Sequence, residues 1–81
     1  MQSFNDTRGI RREFTFNGNI VVATANPKSV SLDMYRKGYW IMDQRINLPH
    51  NTPFRMVIDT LHCLKDIDIA MIFQQYLEGE R

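Results

Sequence analysis

The chain has few of the residue types that usually identify a chemical activity or a membrane location. It contains 1 cysteine among 81 residues, so no disulfide can form within it, and a reducing, cytoplasmic location is expected. No apolar run approaches the roughly 20 residues needed to span a bilayer. The absence of a charged-then-apolar leader predicts that there is no signal peptide. The formal net charge is +1, which argues against long-range attraction to nucleic acid or to a membrane surface.

Catalytic and metal-binding patterns are also missing. The 4 glycines are isolated from one another, so there is no glycine-rich phosphate loop. His62 and Cys63 are adjacent, and because neighbours on a helix diverge by about 100°, they do not meet as a base and a nucleophile. Asp59, His62 and Asp66 can share one side of a helix, but metal sites normally recruit ligands from a second element. The sequence therefore predicts a protein that is not an enzyme and that needs no cofactor or metal.

The composition is that of an ordinary globular protein, with 43% hydrophobic and 23% charged residues. The 81 residues suffice for a single domain, and residues 1–9, which are polar and without periodicity, are expected to form a loose N-terminal segment. A domain of this size buries a modest share of its surface. Oligomerisation or a bound partner would therefore help to stabilise it.

Three turn signals between residues 10 and 46 predict four short strands. They are Asn17-Gly18, Asn26-Pro27-Lys28-Ser29 and Arg36-Lys37-Gly38. Asn-Gly is the strongest short hairpin signal, because both central positions of a type I′ turn need a positive φ. The second signal suits a four-residue loop and the third suits a three-residue loop closed by a glycine bulge. The predicted strands are 11–16, 19–25, 30–35 and 39–46, joined as an antiparallel meander.

Each loop length fixes a register, and each register fixes which side chains share a face of the sheet. The first loop pairs Phe14 with Val21, the second pairs Val21 with Met34, and the third pairs Met34 with Trp40. All three registers agree on one apolar face, made of Phe14, Phe16, Val21, Ala23, Ala25, Val30, Leu32, Met34, Trp40 and Met42. This agreement favours the meander over its alternative, a helix across residues 31–37.

Two amphipathic patterns that follow the strands predict helices over about 53–65 and 67–78. Thr52 is a favoured N-cap and Pro53 a favoured first helical residue. The first apolar stripe is Phe54, Val57, Ile58, Leu61 and Leu64, and the second is Ile69, Ile72, Phe73, Tyr76 and Leu77. One kinked helix over 53–78 is the alternative. The sequence thus predicts an α+β fold, in which the helices cover the apolar face of the sheet.

The other face of the predicted sheet carries an apolar, tyrosine-rich group at one end. Its members are Ile20, Val22, Tyr35, Tyr39 and Ile41. A solvated face would carry lysine, glutamate and threonine, whereas tyrosines and contiguous apolar patches are typical of interfaces. These residues form the predicted contact site of a small protein-binding module, such as an adaptor, inhibitor, antitoxin or phage-type accessory protein. The sequence leaves the partner's identity and a homodimer or larger homo-oligomer open.

A single-stranded nucleic-acid-binding domain, in particular one for RNA, is the alternative function. Aromatic side chains next to basic ones can stack on bases and neutralise phosphates. The residues that would act in this way are Arg11, Tyr35, Arg36, Lys37, Tyr39 and Arg45.

Overall fold

A computed structural model of the protein describes residues 9–79, with side chains described through Gln75. Four antiparallel strands form one sheet in the order β1-β2-β3-β4: β1 (Arg11–Phe16), β2 (Asn19–Asn26), β3 (Ser29–Arg36) and β4 (Tyr39–Asn47). Two helices follow, α1 (Phe54–Cys63) and α2 (Asp66–Gly79). The fold is α+β, as predicted. The predicted loose segment 1–9 lies outside the described residues except for Gly9.

The registers of the first two hairpins are confirmed. Phe14 pairs with Val21 and Val21 pairs with Met34. Asn17 and Gly18 both adopt positive φ, 51° and 80°, as a type I′ turn requires. The second loop has two residues rather than four, because residues 26 and 29 are themselves paired, and this leaves the register unchanged. β3 runs through the segment 31–36, so the helix alternative for this segment is wrong.

The third hairpin differs from the prediction at its loop. Lys37 and Gly38 form a two-residue turn with φ of 54° and 85°, so Arg36 pairs with Tyr39. The predicted three-residue loop is therefore wrong. The prediction differs from the structure because Lys37 adopts the left-handed backbone conformation, which asparagine or glycine normally adopts in such a turn.

A bulge then changes the register of β4. Tyr35 pairs with Trp40, while Met34 pairs with Met42, which leaves Ile41 as an extra residue between the two pairs. Beyond the bulge, β4 is displaced by two residues from the predicted register. Because side chains alternate with a period of two, this displacement keeps Met42 on the helix side of the sheet. Between the turn and the bulge the displacement is a single residue, so Tyr39 and Trp40 exchange faces relative to the prediction.

Lys37→Asn is expected to stabilise the protein by about 0.5–1 kcal/mol, because asparagine tolerates the left-handed region better than lysine does. The variant gives the third hairpin the same Asn-Gly turn as the first. Chemical denaturation measures the difference. Lys28→Asn is the matched control, since Lys28 lies in a two-residue turn without positive φ and its replacement is expected to change little. Equal effects of the two substitutions would contradict the strain at Lys37.

The two helices pack on the face of the sheet that the sequence predicts to be apolar. The fully or nearly fully buried hydrophobic residues are Phe14, Phe16, Val21, Ala23, Ala25, Val30, Leu32, Met34, Val57, Leu61, Leu64, Ile69 and Phe73. α2 reaches β1 through Phe73, whose ring centroid lies 6.2 Å from that of Phe16. Trp40 is the one member of the predicted apolar face that lies elsewhere, because of the register change in β4. The predicted stripe members Tyr76 and Leu77 lie outside the described side chains.

The helices are separate, so the single kinked helix is wrong. α1 ends at Cys63, and Leu64 is its extended C-cap. The backbone N–H of Lys65 donates to Asp68 Oδ2 at 2.7 Å, an arrangement that caps the start of α2. At the other end of α1, the N-cap is Pro53 rather than Thr52, and it makes no side-chain hydrogen bond.

Arg12 ties β1 to the end of α1. Its Nη1 donates to the carbonyl oxygens of Leu61, His62 and Leu64 at 3.0, 3.3 and 2.8 Å. These carbonyls lie at the C-terminus of α1, where a positive charge is favoured, and that of Leu61 also accepts from the backbone N–H of Leu64 at 3.3 Å. The guanidinium carbon also lies 4.6 Å from the centre of the Phe14 ring.

The helix layer is centred on β1, β2 and β3 rather than on the whole sheet. α1 packs against β2 and β3, while α2 packs chiefly against β1. Beside β4 this leaves an open groove of about 470 Å³, lined by Ile46 on the sheet and by Leu64, Met71 and Ile72 on the helix side, among others. Within residues 9–79, β4 is therefore an edge strand with a partly uncovered inner side.

Candidate functional site

The face of the sheet away from the helices, here called the outer face, is ordered in rows of paired residues. The row nearest the Asn17-Gly18 and Lys37-Gly38 turns is Thr15, Ile20, Tyr35 and Trp40. The next rows are Glu13, Val22, Asp33 and Asp43, and then Arg11, Thr24, Ser31 and Arg45. The first row is the most apolar part of the outer face, and the other two are mostly polar or charged.

An apolar patch lies at the turn end of the outer face; it consists of Ile20, Val22, Tyr35 and Trp40 and is called the outer patch below. Ile20 and Trp40 are 41% and 56% exposed, while Val22 and Tyr35 are half-buried. Trp40 is fixed by a hydrogen bond from its Nε1 to Asp33 Oδ1 at 3.2 Å. The strands place all four side chains on one face of the sheet.

Three of the five residues of the predicted protein-binding site therefore lie together, and two do not. Ile20, Val22 and Tyr35 are neighbours on the outer face. Tyr39, 77% exposed, is paired with Arg36 at the turn and belongs to the opposite face. Ile41 occupies the bulge and packs against the core. The predicted placement of these two residues on the outer face is wrong, because the loop is one residue shorter than predicted and a bulge follows it.

Trp40 is the residue of this patch that the sequence analysis placed wrongly. Gly38 is the sequence signal that would have placed Trp40 correctly. The Asn17-Gly18 loop between β1 and β2 also has two residues and ends in glycine, so the same loop length could have been assigned to Lys37-Gly38. With that loop length, Arg36 pairs with Tyr39 and Trp40 falls opposite Tyr35. No sequence feature marks the compensating bulge at Ile41.

Charged residues next to the outer patch are mainly acidic. Glu13, Asp33 and Asp43 occupy the adjacent row, and Asp33 and Asp43 are directly opposite each other. The outer-face arginines, Arg11 and Arg45, lie one row further away. The acidic row therefore favours positively charged groups of a partner on that side of the patch, while Lys37 of the turn adjoins the other side.

The residues of the alternative nucleic-acid-binding set do not form one surface. Arg11, Tyr35 and Arg45 belong to the outer face, whereas Arg36 and Tyr39 belong to the inner side at the turn. The Nε of Arg36 donates to Asn19 Oδ1 at 3.1 Å, which directs the guanidinium into a structural contact. Lys37 lies in the turn itself. Aromatic rings and cations are thus divided between two sides of the sheet.

The histidine and cysteine near the end of α1 point to separate surroundings. Nε2 of His62 lies 3.2 Å from the carbonyl oxygen of Gly9, and Cys63 is exposed. In residues 9–79, no group of three or more histidine, cysteine or acidic side chains is placed to hold a metal ion. No helix among these residues is long and apolar enough to cross a membrane.

Comparisons of the chain with protein families, with curated proteins and with solved structures found no match.

Proposed function

We propose that this protein is a non-catalytic protein-binding module that contacts its partner through the outer patch. The observation that supports the proposal best is the row Ile20–Tyr35–Trp40, which crosses three neighbouring strands on the face away from the core. A face that only meets solvent does not need a tryptophan that is 56% exposed. Tryptophan and tyrosine are also the side chains that most often dominate the binding energy of protein interfaces.

The acidic row beside the outer patch indicates the chemistry of the partner. Asp33 and Asp43 lie on the same face in the row next to the apolar row, and neither arginine of the outer face belongs to the patch. An interface with an apolar centre and a basic rim would complement this surface. Adaptors, inhibitors, antitoxins and phage-type accessory proteins all act through contacts of this kind. A nucleic-acid backbone would meet carboxylates next to the aromatic rings, which supports a protein partner over single-stranded RNA.

Trp40→Lys is expected to weaken partner binding by at least about 30-fold, the effect of losing an interface residue worth 2 kcal/mol or more. Lysine keeps an attraction to Asp33, so the fold should survive. The measurement is quantitative affinity capture from the native host, with the wild-type protein and the variant compared for the same captured protein. Ile67→Lys is the matched control, because Ile67 is 64% exposed but lies on α2, away from the sheet face.

The single tryptophan gives a direct second measurement with the captured partner. Trp40 is the only tryptophan in the chain, so its fluorescence reports on the outer patch alone. Binding at the patch should shift its emission to the blue and reduce quenching by acrylamide. Unchanged emission on binding, or equal capture by wild type and Trp40→Lys, would refute the proposed site. A gel shift with mixed oligonucleotides that depends on Arg11 and Arg45 would instead support the nucleic-acid alternative.

A further inference from the structure

We infer that two copies of this chain associate through the free edges of their β4 strands, antiparallel to each other, around a twofold axis at Gln44. β4 is the last strand of the sheet, and β3 is its sole neighbour in residues 9–79. An unpaired strand edge offers a row of backbone donors and acceptors to another strand. This inference does not depend on the outer patch or its partner.

The backbone groups that are available at the edge follow from the hydrogen bonds to β3. The N–H of Leu48 donates to the carbonyl oxygen of Lys28 at 3.1 Å, so Leu48 faces β3. Backbone directions alternate along an antiparallel strand. Gln44 and Ile46 therefore also face β3, and the N–H and C=O groups of Asp43 and Arg45 point away from the sheet. Two β4 strands can join only if these outward-pointing residues meet each other.

Among twofold axes at Asp43, Gln44 and Arg45, charge favours one. With the twofold axis at Gln44, Asp43 of each copy lies opposite Arg45 of the other, which gives two opposite-charge pairs on the outer face. An axis at Asp43 would place Asp43 opposite itself, and an axis at Arg45 would place Arg45 opposite itself. Directly opposed like charges destabilise a strand pair, while opposite charges stabilise it. The segment Met42-Asp43-Gln44-Arg45-Ile46 is thus complementary to its own copy.

Among the side chains that the structure describes, the charges concerned have no partner. Asp43 is directly opposite Asp33 within the sheet, an unfavourable pair of like charges. Both Asp43 and Arg45 are exposed. In the part of the chain that the structure describes, neither side chain makes a hydrogen bond or an ion pair. The arginine of a second copy would approach Asp43 from the side opposite Asp33 and would compensate both carboxylates.

The inner face of the same register is apolar on both sides of Gln44, which is paired with Leu32 and lies on this face at the axis. Met42 of one copy lies opposite Ile46 of the other, beside the groove that Ile46 lines. Met42 and Ile46 are half-buried in the single chain and already contact its core. The dimer would therefore extend the apolar layer of both sheets at the place where the helices leave it uncovered.

The other edge strand, β1, is less suited to pairing with its own copy. A twofold axis at Arg12 would pair Arg11 with Glu13, but it would also place Arg12 opposite Arg12. β1 also lies under α2, and Arg12 is held by the end of α1. At the corresponding central position of β4 the residue is the neutral Gln44.

Charge reversal tests the register. Asp43→Arg and Arg45→Asp are each expected to raise the dimer dissociation constant by about tenfold to a hundredfold, because each replaces both opposite-charge pairs by like-charge pairs. An equimolar mixture of the two variants, and the double variant Asp43→Arg/Arg45→Asp, should associate again. Sedimentation velocity measures the association. Glu13→Arg, the same kind of reversal on β1, is the matched control and should leave the dissociation constant unchanged.

A cysteine placed on the axis tests the geometry independently of charge. Because Gln44 faces β3, two copies of it would meet as a non-hydrogen-bonded pair with Cα atoms about 4.5 Å apart, within the range that a disulfide bridges. In a Cys63→Ser background, Gln44→Cys should form a covalent dimer on oxidation. Asn47→Cys in the same background should not, since residues 47 of the two copies would lie about 20 Å apart along the strands.

Several results would overturn the inference. One is a wild-type protein that stays monomeric at its highest soluble concentration. Another is a dimer that neither charge reversal weakens, or one that the mixture of reversed variants fails to restore. Cross-linking of Asn47→Cys that is as fast as that of Gln44→Cys would also reject the axis. Circular dichroism of each variant separates these outcomes from loss of the fold.

Discussion

Phe73→Ala is expected to lower the free energy of unfolding by about 3–5 kcal/mol, the range for removing a buried phenylalanine side chain. Phe73 is 0% exposed, and its ring lies on that of Phe16 at a centroid distance of 6.2 Å. It is the largest of the fully buried side chains, and it anchors α2 to β1. Because small domains have a total stability of about 5–15 kcal/mol, this single cavity removes a large fraction of it. Urea denaturation monitored by circular dichroism measures the change.

Met71→Ala provides the comparison for Phe73→Ala. Met71 lies two residues away on α2 and is 60% exposed, so its truncation should change the free energy of unfolding by less than about 0.5 kcal/mol. The melting temperature should show the same contrast, with a fall of more than about 10 °C for Phe73→Ala alone. Similar effects of the two truncations would mean that α2 does not pack on the sheet through Phe73.

Arg12→Met should destabilise the protein by about 2–3 kcal/mol, although arginine 12 lies near the surface. Methionine retains the apolar part of the side chain but supplies no donor. The carbonyl oxygens of Leu61, His62 and Leu64 would then lose the guanidinium that lies 2.8–3.3 Å from them. Hydrogen bonds that involve a charged group contribute about 1.5–3 kcal/mol, and a cation at a helix C-terminus adds to this.

Arg11→Met is the matched control for Arg12→Met, because it makes the same replacement at the neighbouring residue of the same strand. Arg11 is exposed on the outer face, so its loss should change the free energy of unfolding by less than about 0.5 kcal/mol. Arg12→Lys should fall between the two, since a single ammonium group does not reproduce the geometry of a guanidinium. If Arg12→Met and Arg11→Met behave alike, the contact between β1 and the end of α1 contributes nothing to stability.

Most of the fold could be predicted because local signals and the polarity pattern agree. Asn17-Gly18 fixes the first hairpin through backbone conformation, and the apolar alternation of β2 and β3 fixes their faces. The spacing of Val57, Leu61 and Leu64 likewise predicts which side of α1 is buried. In each of these elements, a wrong register would expose several apolar side chains at once.

The part of β4 near its turn could not be predicted in the same way, because its side chains fit either face. Tyr39, Trp40, Ile41 and Met42 are all large and apolar or aromatic, so no alternation identifies the buried positions. The length of the loop before β4 then determines which face each of these side chains occupies. Because lysine is unusual in the left-handed conformation, the sequence does not signal the two-residue turn at Lys37-Gly38. The sequence therefore predicts the outer patch at the correct end of the sheet and correctly includes Ile20, Val22 and Tyr35. It assigns Tyr39 and Ile41 to the patch in place of Trp40.

Strands that are neighbours in the sheet are also consecutive in the chain, and this order has a consequence for synthesis. Once the ribosome has released Asn47, every strand has its hydrogen-bonding neighbours, and hairpins close within microseconds. The apolar face of that nascent sheet is covered in two steps, first by α1 on β2 and β3 and then by α2, which reaches β1 through Phe73, because contacts of low sequence separation form first and those between the two ends of the chain form last. While residues 48–73, about a third of the molecule, are translated, the apolar face of the sheet is uncovered in whole or in part, and this interval is the period of greatest exposure to aggregation and to chaperones.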